Sequence, residues 1–168
     1  KGIADLIKAF RDVPGILRVI GRGEDAYVRR LKQSAPTNVE WLGELDVAEV
    51  QKQLSKAWCL ALPTRADTSP NVVKEARVIG LPVITTSAGG QAAYVEHMKD
   101  GLFVPCGKRE DLTKALRQLF AHFGLVLQMG NLGRSRYREI FSPHNTATAF
   151  GLLYKNLGYH VGLPCKEE

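Results

Sequence analysis

Between residues 67 and 75 the chain reads Asp67-Thr68-Ser69-Pro70-Asn71-Val72-Val73-Lys74-Glu75. This stretch follows Trp58 to Leu62, an apolar run of the length of a buried strand. It opens a segment in which Val72, Val73, Ala76 and Ile79 recur on one helical face. Ser69 can cap that helix and Pro70 suits its first position. Gly80 permits a left-handed C-terminal turn and Pro82 prevents continuation, so the predicted helix spans Pro70 to Ile79. Its first N–H groups, at Asn71, Val72 and Val73, have no partner inside the helix. With the helix dipole they make an anion site suited to a diphosphate. Asp67 stands just before the helix, and Glu75 about a turn and a half into it. Carboxylates would repel phosphate, but they suit hydroxyl groups on either side of it, such as those of a sugar and a ribose. Acids near a helix start also offset the dipole. The residues alone therefore leave open that Asp67 is only a loop acid and Glu75 only a solvated one.

The elements that must hold this stretch alternate along the chain. Candidate strands are Leu17 to Ile20, Val39 to Leu42, Trp58 to Leu62, Val83 to Thr86 and Leu102 to Val104. Helical spacing appears in Gly2 to Phe10, Val47 to Ala57 and Asp111 to Phe123. Gly124 to Phe141 and Asn145 to Leu157 read as closing helices, broken at Ser142-Pro143, and 158–168 as a tail. Alternation of this kind implies parallel strands with helical crossovers, so the expected fold is a doubly wound, Rossmann-like α/β sheet over 1–157. Residues 67–75 then sit at the carboxyl end of a parallel strand, where ligands bind in such sheets. The chain opens in a helix although such a sheet starts with a strand, so either its first strand is missing ahead of residue 1 or the fold is closed in some other way.

Gly21-Arg22-Gly23 follows the first predicted strand and could pass for a dinucleotide fingerprint. The third glycine is replaced by Ala26, followed by Tyr27, so a nicotinamide cofactor is disfavoured. Close packing or a ligand-side turn at Gly21 explains the pair better.

The 168 residues, 45% apolar and 24% charged, suit one globular domain with a core. No apolar run approaches the roughly 18 residues of a membrane span. The start has no signal-peptide pattern. Cys59, Cys106 and Cys165 are few, odd in number and far apart, which suits a reducing, cytoplasmic compartment. His97, His122, His144 and His160 lack metal-ligand spacing. The net charge of +6 fits nucleic acid, an anionic membrane surface or an anionic small ligand. The densest basic group, Arg134, Arg136 and Arg138, has no interleaved aromatics, which argues against nucleic acid. Peripheral membrane association stays open.

Ala61-Leu62-Pro63-Thr64, then Asp67 to Ala76, Gly80-Leu81-Pro82-Val83-Ile84 and Gly89-Gly90 resemble the GT4 family, retaining glycosyltransferases of the two-domain GT-B type. The likeness continues through Gly21-Arg22-Gly23, Val39 to Gly43, Gly101-Leu102-Phe103-Val104, Phe141-Ser142-Pro143 and Leu153-Tyr154, in order over most of the chain. The family hallmark is a Glu, seven residues and a second Glu; here Asp67 and Glu75 take those places. The resemblance implies that the chain is the C-terminal, donor-binding half of such an enzyme. It places the ribose on Glu75 and the donor-sugar hydroxyls near the reacting carbon on Asp67. It places the diphosphate and sugar on the backbone of Ser69, Pro70, Asn71, Val72 and Val73, phosphates on Lys1, and the base near Gly43, with Gly21 on the donor side. A nucleotide diphosphate sugar is then the substrate, transfer needs no metal or other cofactor, and the acceptor site lies on an N-terminal domain absent from this chain. The absent first strand and the family's phosphate-binding Arg fall in the same upstream segment, so residue 1 is expected to be a cut.

Three departures from the pattern stand out. Asp67 is one methylene shorter than Glu, which sets its carboxylate roughly 1 to 1.5 Å further back on an unchanged backbone. Ala92 and Ala93 replace a Pro and a Glu that often follow the two glycines. The upstream Arg is not in the chain. A non-catalytic nucleotide-sugar-binding or scaffolding module is therefore the alternative reading.

Overall fold

The protein is described by a computed structural model covering residues 2–157. Its elements run α1 (Ile3–Ala9), a 3-10 turn (Phe10–Asp12), β1 (Leu17–Ile20), α2 (Asp25–Ser34), β2 (Val39–Gly43), α3 (Val47–Ser55) and β3 (Leu60–Leu62). Then come α4 (Asn71–Ile79), β4 (Val83–Thr85), a 3-10 turn (Gly90–Ala93), β5 (Gly101–Phe103), α5 (Arg109–Ala121), α6 (Phe123–Ile140) and α7 (Pro143–Asn156). Lys1 and 158–168, the expected tail, lie outside the described residues.

All strand pairs are parallel: β1 with β2, β3 with β4, and β4 with β5. They form two hydrogen-bonded pieces, β1-β2 and β3-β4-β5. The doubly wound order places one further strand between two such pieces. Among the described residues none lies there.

β3, β4 and β5 send alternate residues to two clusters, whereas β1 and β2 turn Leu17, Val19, Val39 and Trp41 to one cluster and pair Arg18 with Glu40 at 3.0 Å on the other face. In β4, Val83 faces a cluster with Leu54 of α3 and with Val73 and Ala76 of α4. The next residue, Ile84, faces the other cluster, with Leu6 and Ile7 of α1, Leu31 of α2 and Leu112, Leu116 and Leu119 of α5. Helices thus cover both faces, and the expected doubly wound class holds.

Two details depart from the sequence reading. α2 was not anticipated, because Leu31 is the one buried residue of a strongly polar helix. β3 begins at Leu60 rather than at Trp58. Trp58 turns out of the sheet, stacking on Phe120 with ring centroids 5.6 Å apart and packing on Phe123 at 5.2 Å.

The inner face of α4 carries a charge. Arg77 is fully buried, its guanidinium 3.0 Å from the Asp100 carboxylate, and it donates to the backbone carbonyls of Leu81, at 3.0 Å, and Asp100. Asp100 also accepts from the Glu96 N–H at 2.7 Å. Burial pulls the Arg77 pKa below its ordinary range, and Asp100 opposes that shift. Gly133 of α6 faces the guanidinium so closely that a Cβ there would fall 1.9 Å from Nη2.

Removing Asp100 leaves Arg77 charged, buried and without a counter-ion, and removing Arg77 leaves buried Asp100 only the more distant Arg136, at 3.6 Å. Arg77→Met and Asp100→Asn are each expected to lower unfolding free energy by about 3 to 5 kcal/mol. The double variant Arg77→Met/Asp100→Leu should lose clearly less than the sum of the single losses. Urea denaturation of the set tests this, and additive losses would show that the pair is not coupled.

Cysteine reactivity follows from the same packing. Cys59 packs its thiol against the α1–α5 cluster, although part of the residue reaches the surface, and burial pushes its pKa up to about 12. Cys106 is exposed. The thiolate is the reactive form, so at pH 8 Cys59 holds it at roughly one part in ten thousand. Iodoacetamide at pH 8 should label Cys106 in the native chain and label Cys59 only after denaturation, as read by peptide mass spectrometry. Equal native labelling would contradict this packing.

Candidate donor site at the start of helix α4

The site is built from three loops at the carboxyl ends of strands. The first follows β3 and runs into α4. Thr64 is buried and its hydroxyl donates to the Ala66 carbonyl at 3.1 Å. Asp67 is half-buried, and its Oδ1 accepts from the Ser69 N–H at 3.3 Å, an Asx turn of the kind short acids form. Pro70, not Ser69, is the N-cap, with ψ near 113° before helical Asn71. Ser69 does not cap the helix as expected, because Tyr94 draws its hydroxyl away, with Oγ and the Tyr94 hydroxyl 3.1 Å apart. The C-terminal end is as read from sequence: Gly80, at φ 95°, closes the helix with its N–H on the Ala76 and Arg77 carbonyls.

The Val73 N–H is taken by the Pro70 carbonyl at 3.1 Å. That corrects the expected trio of donors to two. The N–H groups of Asn71 and Val72 find no acceptor among the described residues, and no acid stands in the first turn. This is the electrostatic condition for an anion at a helix start.

The second loop, Thr86 to Gly90, lies directly against the first. The Gly90 N–H donates to the Asp67 carbonyl at 2.8 Å. A Cβ on Gly89 would sit 2.2 Å from the Asp67 carbonyl oxygen, and one on Gly90 1.6 Å from that of Thr68. Only glycines allow this approach.

The third part is the pair Gly21 and Gly43, at the ends of β1 and β2. The Gly21 N–H donates to the Gly43 carbonyl at 2.7 Å, and both have positive φ, 118° and 70°. An added Cβ would touch nothing within 4 Å at either. Open turns, not tight packing, explain these two glycines.

Glu75 lies half-buried in a cleft of about 670 Å³ between α3 and α4, lined also by Gln51, Ser55, Asn71, Lys74 and Phe141. Lys74 Nζ is 3.4 Å from Asn71 Oδ1 and 5.1 Å from the centre of the Tyr94 ring. The structure therefore brings Asn71 and Glu75 together in one cleft, and joins Asp67 and Ser69 to the loops that carry Gly90 and Tyr94. Gly21 and Gly43 form a separate pair. Lys1 falls outside the described residues. Sequence reading missed Lys74, Gln91 and Tyr94; the first stood inside the quoted motif, and the other two sit just past the paired glycines. Among the described residues, no three His, Cys, Asp or Glu side chains gather into a metal site, and no helix is long and apolar enough to cross a membrane.

A family model for glycosyl transferases group 1 matches residues 1–122. The chain belongs to that family. It is 27% identical over 139 residues to a D-inositol 3-phosphate glycosyltransferase of Jonesia denitrificans, a match covering 82% of this chain and 30% of that protein. Its fold matches Anabaena HepE, solved in complex with UDP-glucose, with a TM-score of 0.80 at 21% identity, covering 94% of this chain and 45% of that one. It also matches sucrose-phosphate synthase of Thermosynechococcus elongatus, with a TM-score of 0.81 at 25% identity, over 94% of this chain and 42% of that one. The group 1 chain described here thus spans about a third of the curated relative and under half of the solved chains. Its fold is the Rossmann-like half of a GT-B glycosyltransferase.

In this group 1 chain the contact between the two loops gives a sharp test. Gly90→Ala must push the 67–69 loop away, since its Cβ would fall inside bonding distance of the Thr68 carbonyl oxygen. Melting temperature and amide spectra should show a native fold with shifts concentrated at 64–70 and 86–94. Spectra unchanged at Asp67 to Ser69 would refute the close approach.

Proposed function

We propose that this chain is the donor-binding, C-terminal half of a retaining, GT4-like hexosyltransferase of the GT-B type, which takes a sugar from a nucleotide diphosphate sugar. The observation that carries this reading is the start of α4. Two N–H groups without acceptors, at Asn71 and Val72, lie between a half-buried acid on each side, Asp67 and Glu75. Solved relatives in complex with UDP and UDP-glucose support it.

In the proposed reaction the bond between the sugar's anomeric carbon and the diphosphate oxygen breaks, an acceptor hydroxyl oxygen bonds to that carbon on the same face, and the proton of that hydroxyl passes to the departing diphosphate oxygen. The electron pair leaves with the diphosphate. Charge growing on that group is met by the N–H groups of Asn71 and Val72, by the α4 dipole and by Lys1, without a metal. Glu75 accepts from ribose hydroxyls. Asp67 holds sugar hydroxyls and favours the partly cationic ring. Ser69, Pro70 and Val73 shape the wall between them, and Gly21 and Gly43 leave room for the nucleoside. The acceptor site lies on an N-terminal domain. The chain by itself binds donor weakly and transfers little, and it works in the cytoplasm or at the membrane surface facing it.

A second reading, a non-catalytic nucleotide-sugar-binding module, draws on one observation: Asp67 spends Oδ1 on the Ser69 N–H of its own loop.

The deciding experiment is titration of the chain with UDP, GDP and ADP and their glucose conjugates. Saturable binding to one base series is expected, and Glu75→Ala should weaken it by about 10- to 100-fold, the range for a lost hydrogen bond to a charged group. Binding to none of the six overturns the donor-site reading. Binding with no transfer after an N-terminal domain is joined to the chain would favour the non-catalytic module.

A further inference from the structure

Among the described residues, the buried polar side chains outside the Arg77–Asp100 pair are Thr64, Thr85, Thr86 and Gln91, and Thr64, Thr86 and Gln91 stand in or next to the 64–69 and 86–90 loops. Gln91 is fully buried and joins them. Its amide nitrogen donates to the Thr86 carbonyl at 3.2 Å, lies 3.3 Å from the Thr86 hydroxyl and donates to the Ala88 carbonyl. The Thr86 hydroxyl donates in turn to the Thr64 carbonyl, and the Thr64 hydroxyl to that of Ala66. The relay ends one residue before Asp67. From the other side, Gln91 fixes the Ala88 carbonyl just ahead of the two glycines that touch Asp67 and Thr68.

Gln91 Oε1 is buried and has no partner. It lies 3.1 Å from the point where a Gly89 Cβ would stand, and the Asp67 carbonyl oxygen lies 2.2 Å from that same point. The amide cannot be turned round to satisfy Oε1, because Nε2 faces carbonyl oxygens. A buried acceptor without a donor is costly, and an apolar residue of similar size would avoid the cost. The chain nevertheless places an amide donor here, at the centre of the support under Asp67.

We infer that Gln91 is the positioning residue of the donor-sugar end of the site, setting the height of the Asp67 loop through the Thr86–Thr64 relay and the Gly89–Gly90 turn. This rests on the donor-site reading above. It assigns sugar affinity to a residue that touches no ligand, and leaves nucleotide affinity to Glu75 and α4.

Gln91→Leu keeps the volume and removes the donors, while Thr86→Val removes the hydroxyl that links Gln91 to Thr64 and leaves the Gln91 bonds to the Thr86 and Ala88 carbonyls. Amide hydrogen exchange by NMR on the 168-residue chain reads the loop without ligand. The Gly90 amide, bonded to Asp67, should exchange at least about tenfold faster in both variants. The Val104 amide, bonded to Thr85 between β4 and β5, should stay within about twofold. Titration then compares UDP with UDP-glucose. Gln91→Leu should weaken UDP-glucose about tenfold and UDP less than about twofold, a split that general loss of stability would not give. Should Gln91→Leu fail to fold, Thr86→Val carries the same two readouts. Unchanged Gly90 exchange, or equal weakening of both ligands, overturns the inference. A wild-type chain that binds none of UDP, GDP, ADP and their glucose conjugates refutes the donor-site reading instead, and the exchange rates still decide whether Gln91 holds the loop; where the bound base is G or A, that diphosphate and its glucose conjugate replace UDP and UDP-glucose.

Discussion

The site depends on how α4 is fixed, and α4 is fixed by one buried ion pair. A nine-residue helix with a free N-terminus has little to hold its axial position but the packing of Val73 and Ala76. Arg77 adds a directional anchor. Its guanidinium reaches Asp100 before β5 and the Leu81 carbonyl after the helix, and it packs 5.5 Å from the Tyr137 ring of α6. α6 can come this close because of two glycines. Gly130 lies against the Gly80 carbonyl and Gly133 against the guanidinium. The anchor continues outward from Tyr137 to Phe141, with ring centres 5.4 Å apart, and Phe141 lines the cleft that holds Glu75. A buried pair of this kind adds little net stability over an apolar replacement. Its effect is to fix one position of α4 along its axis, and hence where the Asn71 and Val72 N–H groups point.

The core therefore carries two polar networks with separate tasks. Arg77 and Asp100 locate the helix, and Thr64, Thr86 and Gln91 locate the loop that enters it. They meet at Tyr94, whose hydroxyl pairs with Ser69 and whose ring packs on Phe141 at 5.9 Å. Charge and hydrogen bonding are concentrated at the two places where the apolar clusters cannot specify position, because a helix can slide and a loop can swing. Elsewhere the alternation of Val83 and Ile84 between the clusters sets register without polar help.

What was legible in the sequence was local. The end of α4 could be read from Gly80 and Pro82, and the strand–helix alternation gave the doubly wound class. The features that escaped depend on residues far along the chain. Ser69 reads as a cap until Tyr94, 25 residues later, takes its hydroxyl. Arg77 reads as a solvent-facing charge, and only Asp100 and Gly133 show why it is buried. Gln91 reads as loop polarity, because nothing near it in sequence announces Thr64. The polar helix α2 lacks the apolar stripe that marks the others. The division of the 67–75 stretch between a cleft at Glu75 and a loop at Asp67 is a tertiary fact.

The same geometry gives meaning to the shorter acid at position 67. An aspartate can bond the N–H two residues ahead, as Asp67 does with Ser69, and its short side chain is what makes that ring small enough to close. A glutamate reaches further but does not close the turn as well. The substitution thus exchanges reach for a stiffer loop. In the proposed role the lost reach of roughly 1 to 1.5 Å must be made up by the backbone, and the backbone has one direction open to it. Movement toward Gly89 and Gly90 is barred, since the two loops already touch without a Cβ between them. Movement away from them breaks the Gly90 hydrogen bond to the Asp67 carbonyl. The reach of Asp67 is therefore governed less by its own side chain than by the strength of the support beneath its loop.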